Sequence, residues 1–169
     1  MKVSDCIITR RSIRKFTNQQ IEKEQVEQIL KAAMYAPTAN NQQTFEFVLI
    51  NDDKVLAELA KIQAFETIIQ TAKTVILVCH NSTKVKSQGF WIQDLAASTQ
   101  NMLLQATDLG LGSVWIGIYE RKIKEDLIRD FFKLPETIIP FSMVALGYAD
   151  EKKETPERFD EGKIHLNKW

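Results

Sequence analysis

The chain has 169 residues, 44% of them hydrophobic and 26% charged, enough for one domain whose core needs no disulfide or structural metal. Lys plus Arg and Asp plus Glu both number 22, so the formal net charge is zero. That balance argues against a binder of long polyanions and against a disordered acidic chain.

In chain order, Ser4 is positioned to cap a short helix over Asp5 to Thr9. A dense basic segment follows, Arg10-Arg11-Ser12-Ile13-Arg14-Lys15-Phe16. Ile21 to Met34 reads as an amphipathic helix, with Val26, Ile29, Leu30 and Ala33 at steps of three and four, ended by Pro37. Residues 37–43 form a loop rich in amides and small residues. Phe45 to Ile50 alternates as a strand does, with Phe45, Phe47 and Leu49 on one side. Asp52 or Asp53 opens a helix carrying Val55, Leu56 and Leu59, and a further helix runs through Ile69. Val75 to Cys79 is wholly apolar and of strand length, so it is expected at the sheet centre.

Phe90 to Leu109 carries the longest periodic stripe: Ile92, Leu95, Thr99, Met102, Ala106 and Leu109, with Gly110 as its stop. Ser113 to Ile118 reads as a strand, and Ile123, Leu127, Ile128 and Phe131 as a helix ending near Pro135. Phe141 to Tyr148 is the last core strand. Beyond it the chain is polar and ends on Ile164, His165, Leu166 and Trp169, as an arm that docks somewhere would. The sum is an α+β or mixed α/β chain, with helices around a small sheet. No run reaches the roughly 20 apolar residues of a membrane span, and the charged N-terminus does not read as a signal peptide. Cys6 and Cys79 form neither a metal spacing nor a disulfide framework; they read as small buried hydrophobes of a cytoplasmic protein. His80 and His165 stand too far apart in sequence to suggest a metal centre.

Three segments carry candidate chemistry. Arg10, Arg11, Arg14 and Lys15, with Ser12 among them, can hold a phosphate, pair with acids or simply face solvent as a basic turn. The amides of 37–43 suit the edge of a heterocycle that both donates and accepts, or satisfy their own turn. Gly110-Leu111-Gly112-Ser113-Val114-Trp115-Ile116-Gly117 sets glycines around a short strand, so backbone can approach something flat, with Trp115 lining a pocket or filling core. No Ser-His-Asp arrangement, G-x-S-x-G, phosphate-loop fingerprint or metal-ligand cluster accompanies them. The combination suits a bound cofactor that carries the chemistry itself.

Together these segments resemble the nitroreductase family. Residues 10–16 are similar to its N-terminal motif, Ala36 to Phe45 to its A-P-S-x-x-N-x-Q-P-W motif, 110–117 to its third motif, and Arg158-Phe159-Asp160 with the ending 165–169 to its C-terminal arm. Thr38 stands where Ser is usual and Thr44-Phe45 where Pro-Trp is usual. The resemblance covers nearly the whole chain, taken as one domain over 1–169 with 150–169 as the arm. It implies a small, mainly antiparallel sheet flanked by helices, an arm docked on the partner subunit, and a homodimer with FMN at the interface. Arg10, Arg11 and Ser12 would hold the phosphate side, and Arg14 the pyrimidine edge. Pro37, Thr38, Asn41 and Gln43 would come from the partner to the ring. Trp115, Ile116 and Gly117 would cover a ring face or edge, and Arg158 would return to the phosphate. A looser alignment would set Gln63 near the ring. No side chain is assigned as catalytic apart from these cofactor contacts.

The implied activity is an FMN-dependent NAD(P)H oxidoreductase. Hydride passes from NADH or NADPH to the flavin N5 and then on to a nitroaromatic, quinone or similar acceptor, by a ping-pong mechanism. The chain lacks the helical segment that longer members place over the site. A flavin reductive dehalogenase, a flavin-fragmenting enzyme and a non-catalytic flavin-binding redox sensor are the alternatives. Neither nucleic acid nor a membrane is expected as a partner.

Overall fold

The computed structural model describes residues 1–62 and 66–169. Its centre is a four-stranded sheet of β1 (Phe45–Ile50), β2 (Thr74–Asn81), β3 (Gly112–Gly117) and β4 (Ile138–Gly147), in the order β1-β2-β4-β3. All three pairings of these strands are antiparallel. The apolar runs at 75–79 and 141–147 are the two inner strands, buried on both faces. β4 starts three residues before Phe141, because Pro140 is taken into the strand opposite Cys79, where the register shifts between Val78 and Cys79. A bulge tolerates the missing N–H that would otherwise break the ladder.

Around the sheet lie α1 (Val3–Thr9), α2 (Lys23–Met34), α3 (Asp53–Ala60), α4 (Glu66–Ile69), α5 (Trp91–Asp108) and α6 (Lys122–Phe132). α2 begins two residues after Ile21, where Glu22 and Gln25 form a capping box. Asp52 caps α3, accepting from Lys54 N at 2.9 Å and Val55 N at 3.0 Å. Ser4 lies inside α1 and caps nothing; the helix starts from Lys2 without a side-chain cap. α6 stops at Lys133, which takes a left-handed φ of 51°, before Pro135 is reached.

The alternation of β2 divides the core in two. Ile76 and Val78 pack with Ile29 of α2 and Leu95 and Met102 of α5 on one face. Val75 and Leu77 pack with Leu56 and Leu59 of α3 and Ile128 of α6 on the other. Each such side chain, fully buried, contributes about 1.5–3 kcal/mol relative to exposure. Helices on both faces of an antiparallel sheet make this an α+β fold. Three expected core positions are exposed: Leu49, on the edge strand, and Ile123 and Leu127, on the outer side of α6. Cys6 and Cys79 are buried free thiols, and burial pushes Cys79 up to about 12. Among the described residues no helix is long and apolar enough to cross a membrane. Residues 152–169 are exposed throughout, including Phe159, Leu166 and Trp169.

Candidate active site

The basic segment is fastened along the β3 edge. Ser12 bridges Ser113, and Ile13 N donates to Ser113 O at 2.9 Å. Phe16 bridges Ala149, and Thr17 N donates to Tyr148 O at 2.9 Å. Two glycines make room for this. Gly112 and Gly147 face each other in the β3–β4 register. A Cβ on Gly112 would stand 2.8 Å from Ile13 Cγ2, and one on Gly147 would stand 2.8 Å from Phe16 Cβ. Two apolar side chains therefore press onto bare backbone and set the intervening residues against the sheet.

With Ile13 and Phe16 turned inward, Arg14 faces outward, beside Arg10, Arg11 and Ser12. These four line a cavity of about 330 Å³ with Lys153 and Arg158 of the arm. The root of the arm is tied here: Arg11 Nε donates to Glu154 O at 2.7 Å, and Arg14 N to Glu151 Oε1 at 2.6 Å. Glu151 also pairs with Lys153 at 2.8 Å, and these contacts hold its carboxyl below the usual range. Arg10, Arg11, Arg14 and Arg158 have no carboxylate ion pair among the described residues. Burial, then the charges of Arg11 and Arg158, press the Arg10 guanidinium below its ordinary pKa. The site carries an excess of positive charge, with Glu154 in its lining and Glu151 paired to Lys153 but, among the described residues, no carboxylate paired to an arginine side chain.

The amide loop is a 3₁₀ turn, Ala39–Asn41, leading into β1. Asn40, Asn41 and Gln43 have φ of 49°, 49° and 45°, all left-handed. Pro37, Asn41 and Gln43 are exposed and Thr38 is half-buried; Thr38 Oγ1 accepts from Gln43 N at 3.2 Å. Underneath, buried Gln42 donates from Nε2 to Asp94 Oδ2 at 2.5 Å, and Asp94 Oδ1 accepts from Ala39 N at 3.0 Å.

At the far end of β3 the residues alternate. Trp115 is half-buried with its ring edge-on to Phe141 at 5.9 Å, Ile116 is buried in the core, and Gly117 is exposed. A Cβ on Gly117 would meet nothing within 4 Å, and its φ does not demand glycine. Space is thus open over the backbone where the strand ends. Nearby, His80 stacks on Trp91 at 4.3 Å, and Trp91 meets Tyr119 edge-on at 4.7 Å. Burial holds His80 below its ordinary pKa, a shift that the Asp94 charge partly opposes.

The sequence matches the nitroreductase family over residues 7–92 and 63–148. The chain belongs to the nitroreductase family. It is 40% identical to a candidate NADH dehydrogenase/NAD(P)H nitroreductase of Archaeoglobus fulgidus, over 96% of both chains. In structure it is similar to a candidate NADH oxidase of Clostridium acetobutylicum, at a TM-score of 0.94 and 35% identity, covering 98% of this chain and 100% of that one. It is also similar to an FMN-dependent nitroreductase of Clostridium difficile, at a TM-score of 0.89 and 30% identity, covering 98% and 99%.

In this nitroreductase-family chain, Arg10, Arg11, Ser12, Arg14 and Arg158 come together in one cavity, although about 140 residues separate the last from the others. Pro37, Thr38, Asn41 and Gln43 do not join them. They lead into β1, while the basic segment runs along β3, and these are the two outer strands of the sheet. Three interstrand spacings of about 4.8 Å separate those edges. Ile116 offers only backbone outward, since its side chain is core. Gln63 lies outside the described residues. Sequence reasoning missed Lys153, Gln42 and Asp94. For Asp94 a signal existed: an acid adjoining Leu95 on the inward stripe of the 90–109 helix.

Proposed function

We propose that the protein is an FMN-dependent NAD(P)H oxidoreductase, and that two copies complete each site. The observation that carries this is the cavity where four arginines converge without a carboxylate partner. Such a group of guanidinium forks, with the Ser12 hydroxyl beside them, is stabilised by a phosphate monoester and is repelled within itself without one. Arg10, Arg11, Ser12 and Arg158 would hold the phosphate. Arg14 would lie at the pyrimidine edge, where its fixed charge favours the electron-rich reduced ring. Trp115, Ile116 and Gly117 would stand along the ring, with the open space over Gly117 for its edge.

When bound, FMN supplies a two-electron carrier between NADH or NADPH and a small acceptor such as a nitroaromatic or a quinone, served in turn at one face. The chain's own part is to hold, orient and polarise; solvent reaches the site, so no side chain need carry protons. A second copy is supported by two observations. The amide loop and the arginine cluster occupy opposite sheet edges, so Pro37, Thr38, Asn41 and Gln43 would serve the partner's ring. Val3, Ile7 and Ile8 of α1, Tyr35, and the arm residues Phe159, Leu166 and Trp169 are apolar and exposed, as surfaces awaiting a partner are.

The test is an anaerobic titration followed by visible absorbance. The protein with FMN should show bound-flavin absorbance, bleach on NADH or NADPH, and recover with a nitroarene or a quinone. A protein that takes up no FMN refutes the proposal; one that binds it but is never bleached is a flavin-binding sensor instead. Arg14→Ala should weaken FMN about ten-fold or more, the worth of a charged hydrogen bond, or lower its potential.

A further inference from the structure

The geometry points to Asp94 and Gln42 as a positioning pair that holds the amide loop in the shape needed to meet a flavin ring; the ring's presence rests on the proposed function. Asp94 is the fourth residue of α5 and is 5% exposed. A carboxylate that deep is costly unless its oxygens are satisfied. Both are, and both by the loop: Oδ1 takes Ala39 N at 3.0 Å and Oδ2 takes Gln42 Nε2 at 2.5 Å. Gln42, 3% exposed, passes the constraint on. Its Oε1 accepts from Lys86 N at 3.2 Å and Ser87 N at 3.1 Å. One buried carboxylate and one buried amide thereby clamp three chain segments: 39–42, 86–87 and the start of α5.

The loop needs such a clamp. Three of its residues are left-handed and none is glycine. That conformation is uphill, most of all for Gln43, and persists only where surroundings over-determine it. The exposed residues it aims outward, Asn41 and Gln43, flank Gln42 on either side. Asp94 is therefore a positioning residue acting through Gln42 and Ala39, not a ring contact.

The donor and acceptor pattern supplies its own test. Asp94→Asn sets an NH₂ against the NH₂ of Gln42. Gln42 cannot turn over, because its oxygen already serves two backbone N–H groups. Adding Gln42→Glu restores every bond with the charge moved from residue 94 to residue 42: the new carboxylate accepts from residue 94 and from Lys86 and Ser87, and residue 94 still accepts from Ala39.

Amide hydrogen exchange on the flavin-free protein reads the loop directly. Protection of Ala39, Lys86 and Ser87 should be lost in Asp94→Asn and regained in the double variant. FMN and riboflavin are then titrated where every variant is folded by circular dichroism. Asp94→Asn should weaken both flavins about ten-fold or more, leaving their ratio unchanged to about two-fold, and the double variant should restore both. Equal weakening marks a ring-side effect; a phosphate-side change such as Arg158→Gln alters FMN alone. A folded Asp94→Asn with wild-type exchange and wild-type affinities overturns the inference. If Asp94→Asn does not fold, the double variant decides: folding and binding support the pairing, and failure of either overturns it. A wild-type protein that binds no flavin removes the proposed function instead, and the exchange data alone then decide the clamp.

Discussion

Gly147→Ala tests how the basic segment is set against the sheet. The added methyl carbon would lie 2.8 Å from Phe16 Cβ and 2.9 Å from Cγ and Cδ1. Ordinary contact begins at 3.4 Å, so Phe16 must retreat by about 0.6 Å. It is poorly placed to do so. Phe16 is 4% exposed, its N donates to Thr71 Oγ1 at 3.2 Å, and its neighbours are bonded to Tyr148 and Asp150 at 2.9 Å. Overpacking of this kind costs about 1–3 kcal/mol. For a chain of this length that is a fall of roughly 2–12 °C in Tm. The displacement also reaches Arg14, two residues away, whose N–H holds Glu151 at 2.6 Å. FMN affinity should therefore fall with stability. Differential scanning calorimetry and a flavin titration measure the two. Phe16→Leu in the same background should recover part of the stability, because a flexible side chain can yield where a ring cannot. An unchanged Tm in Gly147→Ala would refute the claim that the glycine exists to admit Phe16.

Two further outcomes are expected. Gly117→Leu should fold as the wild type does, since a Cβ there meets nothing within 4 Å, yet bind FMN at least about ten-fold more weakly because the side chain fills the open space; undiminished FMN binding would place the ring elsewhere. His80 has a folded pKa below its ordinary 6.5, so the unfolded chain takes up its proton first. This group leaves stability flat above pH 6.5, and stability is lost as the pH falls from there toward the folded value, at up to about 1.4 kcal/mol per unit. Urea unfolding at about pH 7.5 and 5.5 should show that loss in the wild type and less of it in His80→Phe, which keeps the stack on Trp91; equal slopes would mean that His80 is not held neutral.

Much of the fold was legible in one dimension. The strand at 45–50 coincides with β1, and the helices of 21–34 and 90–109 have their expected stripes buried at Ile29, Ala33, Leu95, Met102 and Ala106. These are long or strongly patterned segments, where burial follows periodicity directly. The misreadings came where a local rule met a tertiary one. Pro140 marks a strand end by itself, but the bulge opposite Cys79 absorbs it. Leu49 fits the alternation but falls on an outer strand. Ile123 and Leu127 fit a helical stripe, but α6 buries only a narrow face around Ile128.

The opening arithmetic also has a structural answer. Residues 1–15 hold five bases, Lys2, Arg10, Arg11, Arg14 and Lys15, against the single acid Asp5, so zero net charge conceals a local excess. The sequence alone determined that excess and, through its ordered motifs, the family and with it the α+β class that periodicity left open against mixed α/β, because composition and motifs are properties of neighbours along the chain. The resemblance already implied that Arg158 returns to the side of Arg10 and Arg11, and the tertiary structure sets them around one cavity; it alone decided that Lys153 joins them, that the amide loop stands at the opposite sheet edge, and that Asp94 holds it. Each of these depends on which residues distant in sequence meet across the sheet, and strand order is set by how two apolar faces are buried at once, not by any local pattern.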